Sequence, residues 1–252
     1  MGGVEIEFRD VWFAVDGSAP RVAALDLRVE RGETLVLLGR SGSGKTTALK
    51  LANALLLPTR GEVRIDGRAT TNADPVRLRR RTGYVIQEGG LFPHLTVEGN
   101  VGVVPKLEGW PADRVAARVR EMLTLVGLEP DRFASRHPRE LSGGERQRVG
   151  VARALAADPP LVLMDEPFGA LDPPTREEVR AEFCALRDRL GKTILFVTHD
   201  LREALRLGGR IALLRSGRLA FLGTATELLE AEGPEERAFV RTLATGREES
   251  RP

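Results

Sequence analysis

Eight consecutive residues, Gly39-Arg40-Ser41-Gly42-Ser43-Gly44-Lys45-Thr46, fit the pattern G-x-x-x-x-G-K-[ST]. That spacing suits the capture of phosphate: glycines let successive N–H groups curl around phosphate oxygens, and a helix starting at the loop's end presents its positive pole. Lys45 is placed to reach the outer phosphates and Thr46 to ligate Mg²⁺ through its hydroxyl, with Thr47 next in the same turn. The pattern needs an apolar strand before it and a helix after it, and Thr34 to Leu38 and Thr46 to about Leu56 supply them. A second group, Leu161-Val162-Leu163-Met164-Asp165-Glu166-Pro167, is an apolar strand ending in two adjacent carboxylates. Successive strand residues point opposite ways, so Asp165 and Glu166 can serve different tasks, one near Mg²⁺ and the other orienting an attacking water. In a third group, Leu141-Ser142-Gly143-Gly144-Glu145-Arg146-Gln147-Arg148, Ser142 and two glycines expose N–H groups at the start of a helix reaching Ala157, another anion site. A nucleoside triphosphate site follows from these residues; what its energy drives does not.

Short apolar, β-rich runs alternating with longer helical patterns predict an α/β domain with a largely parallel sheet. The strand candidates are Thr34 to Leu38, Tyr84 to Ile86, Leu161 to Met164, Thr193 to Thr198 and Arg210 to Leu214, each apolar throughout, as strands covered on both faces are. Helices are expected over Asp200 to Leu207 and over about Thr175 to Leu190, where Val179, Phe183, Leu186 and Leu190 share one face. Val4 to Val15, Glu62 to Ile65 and Arg218 to Leu222 read as antiparallel strands with turns at Asp66-Gly67 and Ser216-Gly217. From about Glu88 to Pro159 the alternation stops, leaving helical stretches at Ala112 to Val126 and Gly143 to Ala157. From about Glu230 onward a charged tail is expected to fray after one more short helix. The Arg77 to Arg81 cluster reads as a solvated helix face.

At roughly 150 residues per domain, 252 residues make one large domain or a core with an inserted piece. Hydrophobic and charged fractions of 42% and 29% exclude a disordered tail protein and a collagen-like fibre. The net charge of +2 is spread along the chain, so no nucleic-acid footprint is indicated. With 34 Arg against 4 Lys, a Lys in the phosphate loop is more informative than usual. Cys184 is the only cysteine, so no internal disulfide forms and a reducing compartment is expected. The acidic start MGGVEIEFRD lacks a secretory pattern, and no apolar run approaches the roughly 20 residues of a membrane helix.

Taken together, the Gly39 loop, the strand ending at Glu166 and the Leu141-Ser142-Gly143-Gly144-Glu145 segment resemble, in kind and order, the ATP-binding subunit of an ABC transporter. The signature of that family reads LSGGQ, and Glu145 replaces its Gln. The resemblance spans about Val4 to Leu229. It implies a P-loop NTPase ABC ATPase fold: α/β, a mostly parallel sheet core with an antiparallel β subdomain and an inserted helical subdomain. One nucleotide-binding domain would comprise a core at 1–87 and 159–229, a helical subdomain at 88–158 and a tail at 230–252. Gln87 matches the glutamine that contacts Mg²⁺ and the attacking water, Ala170-Leu171-Asp172 the D-loop, and His199 the switch histidine that reads the terminal phosphate. The implied catalytic set is Glu166, His199, Gln87 and Lys45. ATP contacts fall to Gly39, Ser41, Gly42, Ser43, Gly44, Lys45, Thr46, Thr47, Ser142, Gly143, Gly144 and Asp172, and Mg²⁺ contacts to Thr46, Gln87 and Asp165. Val15 occupies the position of the aromatic that stacks on adenine in relatives; Trp12 and Phe13 are either substitutes or core. His94 and His137 lack such context and read as surface residues.

The family works as a head-to-tail pair in which Ser142 to Gly144 of one copy would close over ATP held by the Gly39 loop of the other. The resemblance further implies permease subunits docking near 88–101, an extracytoplasmic substrate-binding protein acting indirectly, no nucleic acid, and a peripheral place at the cytoplasmic face of the inner membrane. Tyr84 to Val97 and Val104 to Trp110 resemble importer ATPases for glycine betaine, choline or carnitine, although such residues would face the permease and not the cargo. Many of those relatives continue into regulatory CBS modules, for which 252 residues leave no room. The alternatives are an importer ATPase for a polyamine, amino acid or anion, and a soluble ABC ATPase without a transport role. The latter usually carries two cassettes or a long coiled coil, whereas 97 positions without sustained heptads separate Lys45 from Ser142. A clamp that binds ATP without turnover would not require Glu166 and His199.

Overall fold

The computed structural model describes residues 6–87, 90–207 and 209–245. Val4, Glu88, Gly89 and the tail from 246, all named above, lie outside the described residues. The strands are β1 (Ile6–Phe13), β2 (Val22–Val29), β3 (Thr34–Leu38), β4 (Arg60–Ile65), β5 (Arg68–Ala69), β6 (Thr82–Val85), β7 (Leu161–Asp165), β8 (Thr193–Thr198), β9 (Arg210–Arg215) and β10 (Arg218–Thr224). The helices are α1 (Lys45–Ala52), α2 (Pro75–Arg80), α3 (Val97–Val101), α4 (Val103–Leu107), α5 (Ala112–Leu125), α6 (Pro130–Phe133), α7 (Gly143–Leu155), α8 (Pro173–Leu190), α9 (Leu201–Leu207), α10 (Ala225–Glu230) and α11 (Pro234–Thr245). The chain divides into two compact units, Met1–Pro75 with Thr193–Pro252, and Val76–Lys192.

In the first unit β3 pairs in parallel with both β8 and β9. Leu35 to Leu38 and Ile194 to Val197 are wholly buried, which is why both segments read as unbroken apolar runs. β10 adds to β9 antiparallel, so Arg218 to Leu222 edges this sheet and does not belong with the N-terminal strands. The antiparallel sheet runs β2-β1-β4-β5. Strand β1 buries Ile6 and Phe8, then Val11, a change of phase that a regular strand cannot make. A bulge at Asp10 supplies it: its φ is 42°, its N–H donates to Asp26 Oδ1 at 2.9 Å, and the register with β2 shifts there. Strand β2 was not expected, although Leu25, Leu27 and Val29 are buried between exposed Asp26 and Arg28.

Helix α1 stops at Ala52, short of the expected Leu56, because the N–H groups of Leu55 and Leu56 turn back to the Lys50 carbonyl and Ala54 adopts a left-handed φ of 49°. Helix α10, started by a capping box between Thr224 and Glu227, ends at Glu230, and the stretch beyond it holds one helix among the described residues, α11.

In the second unit β6 runs parallel to β7. It begins at Thr82, two residues before the expected Tyr84, where the Thr82 hydroxyl bonds the Leu78 carbonyl at 3.0 Å, and Ile86 falls outside it. No residue of α2 is buried, in keeping with a solvated Arg77 to Arg80 face. Helix α5 buries Val115, Val119, Met122 and Leu123 on one face and packs on α7 and α3. Wholly buried Asn100 staples the segment before α3: Oδ1 accepts the Phe92 N–H at 2.7 Å, and Nδ2 donates to the carbonyls of Phe92, Leu95 and Thr96 at 3.0 to 3.2 Å.

Candidate functional site

The first unit builds the Gly39 loop between β3 and α1. Gly44 caps α1 with φ 102°, and a Cβ there would lie 2.4 Å from the Arg21 carbonyl oxygen, so both conformation and space require glycine. The loop is braced from the β9–β10 turn, where the Gly217 N–H donates to the Ser43 carbonyl at 3.0 Å and the Gly217 carbonyl accepts from Ala23 N–H at 2.8 Å. Lys45 is 4% exposed, and its Nζ donates to the Gly39 and Arg40 carbonyls at 2.8 and 3.0 Å. The ammonium is therefore folded into the loop that it would share with phosphate. Thr46 and Thr47, half-buried, follow in the first turn of α1. Ser43 Oγ is buried with no hydrogen-bond partner among the described residues, and a buried hydroxyl seldom stays unpaired. A cavity of ≈ 310 Å³ opens beside Arg40, Ser41, Gly42 and Ser43. A buried orphan hydroxyl, a buried lysine and an open loop fit the phosphates of a nucleotide.

His199 stands exposed just past β8 on a turn that the chain ties internally. The Thr198 hydroxyl donates to the Glu203 carboxylate at 2.5 Å and accepts the Asp200 N–H at 3.0 Å, while Asp200 Oδ1 accepts the Arg202 N–H at 2.7 Å. Val15 lies in the β1–β2 loop with 50% of its surface exposed. Its carbonyl accepts both the N–H and the hydroxyl of Ser18, and the loop ends at Arg21, whose carbonyl abuts Gly44. Trp12 is engaged elsewhere: its indole N–H donates to Asp10 Oδ1 at 2.8 Å, and the guanidinium carbons of Arg60 and Arg218 lie 5.8 and 5.4 Å from its ring. Phe13 pairs with Val22 in the sheet.

The second unit carries the carboxylates. Asp165, 6% exposed, ends β7, and burial with the Asp165 charge pushes the Tyr84 hydroxyl up to about 12. Glu166 follows with φ 42°, a left-handed conformation unusual for glutamate that turns its side chain out of the strand's alternation. The Gly169 N–H closes the turn on the Glu166 carbonyl at 3.0 Å. A Cβ on Gly169 would lie 3.7 Å from Gln87 Nε2 and 3.8 Å from Glu166 Cβ, so Gln87 and Glu166 gather around this glycine. Sequence reasoning passed over Gly169, whose only signal is a glycine three residues after the carboxylates.

Ser142 caps α7 and Asp172 caps α8. Asp172 Oδ2 accepts the hydroxyl and the N–H of Thr175 at 3.0 and 3.3 Å, and these bonds hold its carboxyl below the usual range. The two helix starts touch: a Cβ on Gly143 would meet Leu171 Cδ2 at 3.5 Å, and one on Gly144 would collide with Thr175 Cγ2 at 2.6 Å. Ser142 and Glu145 form a capping box, legible in hindsight as Ser-x-x-Glu. His94 is exposed, and His137 caps a short 3₁₀ turn with Glu140.

The family model for ABC transporters matches residues 22–169. The glycine betaine/carnitine/choline transport ATP-binding protein OpuCA of Bacillus subtilis is 50% identical over 213 residues, 84% of this chain and 56% of the relative. The osmoprotectant import ATP-binding protein OsmV of Salmonella typhimurium is 50% identical over 205 residues, 81% of this chain and 54% of the relative. The chain thus spans about half the length of these relatives. Among solved structures, the dimeric structure of MJ0796, a bacterial ABC transporter cassette, superposes with TM-score 0.78 and 36% identity over 87% of this chain and 98% of that one. With its phosphate loop, its strand-end carboxylates and its capped Ser142 helix in this order, the chain belongs to the ABC transporter family.

Proposed function

We propose that this chain is the ATP-hydrolysing, energy-coupling subunit of an ABC importer for glycine betaine, choline or carnitine. The observation that carries the hydrolytic part is the presence on one polypeptide of a buried Lys45 inside a phosphate loop and a left-handed Glu166 beside Gln87. Residues 39–47 bind the phosphates, with Lys45 as counter-cation. Thr46, Gln87 and Asp165 offer only oxygen donors, the set that Mg²⁺ prefers. Among the described residues no cluster of three acidic, His or Cys side chains occurs, which suits an ion held largely by phosphate oxygens. Bound there, Mg²⁺ would neutralise charge on the phosphates. Glu166 orients and takes a proton from water, and His199 contacts the terminal phosphate. Val15, exposed near the start of the loop whose last residue, Arg21, reaches Gly44, offers adenine an aliphatic contact in place of a ring.

Association is head to tail, with Ser142, Gly143, Gly144 and Asp172 of a second copy covering the nucleotide; the dimeric cassette of similar fold supports this. The chain is then peripheral to the membrane on its cytoplasmic side, and no described helix is long and apolar enough to cross it. Permease subunits dock at 88–101, where Phe92 is 43% exposed on the segment that Asn100 fastens. The cargo class is supported by relatives named for quaternary amines and osmoprotectants. The domain scheme is one nucleotide-binding domain with a helical insert at 88–158.

Glu166→Gln removes the proton acceptor while keeping size, so nucleotide binding should persist, turnover should fall at least about 100-fold, and an ATP-bound dimer should accumulate. Size-exclusion chromatography with ATP showing monomer alone would reject the closure. Tagging the chain in its host should recover permease subunits, and recovery of ribosomes would favour a non-transport ATPase.

A further inference from the structure

The helix start that is to meet phosphate already holds an anion of its own. Glu145 accepts the Ser142 N–H at 2.7 Å, while Ser142 Oγ accepts the Glu145 N–H at 3.2 Å. Glu145 has no ion-pair partner among the described residues, and the adjacent Arg146 donates instead to the Leu141 carbonyl at 2.7 Å. With one lone pair of Ser142 Oγ committed inward, its O–H is left to donate outward. The N–H groups of Gly143 and Gly144, first in α7, have no carbonyl one turn earlier within the helix. Ser142 and Gly143 are exposed while Gly144 is buried against the next helix, so two donors, the Ser142 hydroxyl and the Gly143 N–H, are presented beside a carboxylate that no cation pairs among the described residues. The carboxylate orders them, and its charge repels what they bind.

Resting on the head-to-tail closure proposed above, we propose that Glu145 is a positioning residue that sets the strength of ATP-driven association: it holds Ser142 ready for the terminal phosphate of a second copy and, by its charge, keeps the closed pair from becoming too stable. Glutamine at 145 can accept the same N–H without the charge, so it separates the two effects. Screening must also discriminate them, because the repulsion fades as the Debye length falls from about 10 Å at 0.1 M salt to about 3 Å at 1 M.

The test uses the Glu166→Gln chain with Mg²⁺ and ATP, comparing Glu145 with Glu145→Gln and Glu145→Asp by sedimentation at low and high KCl, with nucleotide binding followed separately by calorimetry. At low salt Glu145→Gln should lower the protein concentration for half-association about tenfold, and the gap should shrink several-fold in high salt. Glu145→Asp, which keeps the charge, should not tighten association. Equal midpoints for Glu145 and Gln, or a gap indifferent to salt, would overturn the assignment while leaving closure intact. If every variant binds ATP and none associates, the closure itself fails, and this role for Glu145 fails with it.

Discussion

The Gly39 loop and the Ser142 helix start both present backbone N–H groups at the beginning of a helix, yet they are built in opposite ways. The first needs a left-handed Gly44 and encloses a lysine whose ammonium is 2.8 Å from a loop carbonyl, so positive charge is buried in it before any ligand arrives. The second is capped by an extended serine, exposes Ser142 and Gly143 while burying Gly144, and carries a carboxylate on its own N–H. A phosphate can be held by the first alone, because cation and dipole act together. On the role proposed above for Glu145, the second contributes directional donors whose attraction for an anion is offset by the neighbouring carboxylate. It suits a phosphate whose charge has already been offset elsewhere, as a latch on an occupied site does.

The sharpest way to break this contrast is Lys45→Ala. Losing the only cation enclosed by the loop should weaken ATP binding by about 100-fold or more, measured by calorimetry, whereas the helix start should be indifferent. Of intermediate size is Gly144→Ala, whose Cβ would press on Thr175 Cγ2 at 2.6 Å and push α7 from α8. We expect a loss of about 1–3 kcal/mol by denaturant titration with ATP affinity of the monomer unchanged, showing that the two cradles fail independently. The smallest effect concerns the second unit's buried charge. Burial, and then Asp165, raises the Tyr84 hydroxyl to about 12, so its contribution to stability is complete below its unfolded pKa near 10 and is lost as pH rises through about 12. Tyr84→Phe should flatten that alkaline limb of a stability-versus-pH curve and leave neutral pH unaffected; an unaltered limb would show that Tyr84 is not its source.

Local chemistry made much of this legible. Runs such as Leu35 to Leu38 and Leu161 to Met164 announced buried strands because covering both faces leaves no room for polar alternation. Lys45 and Ser142 announced helix starts because pattern and capping preference are local. What escaped depended on partners distant in sequence. Strand β2 carries Ala23 and Ala24, which have little β preference, near its start, and its pairing with β1 is accommodated by a bulge bonded to Asp26. The edge position of β10 is decided by the two-residue turn after β9, which directs it back along the parallel sheet. Asn100 belongs to no motif, and only the carbonyls it gathers reveal its use. The gathering of Gln87 and Glu166 around Gly169 was equally invisible, because the two side chains are 79 positions apart.

By itself, then, the order of residues determined which groups are available: a lysine among glycines, two carboxylates at a strand end, a serine before a helix, a histidine after a strand. Those choices are encoded within one or two turns of chain, where bonding and sterics act on neighbours. Tertiary structure alone decided how the groups are held: Lys45 folded onto two carbonyls, Glu166 turned left-handed, α7 and α8 pressed together where only glycine fits. Such states depend on contacts that close long loops, and only the packed fold can enforce them.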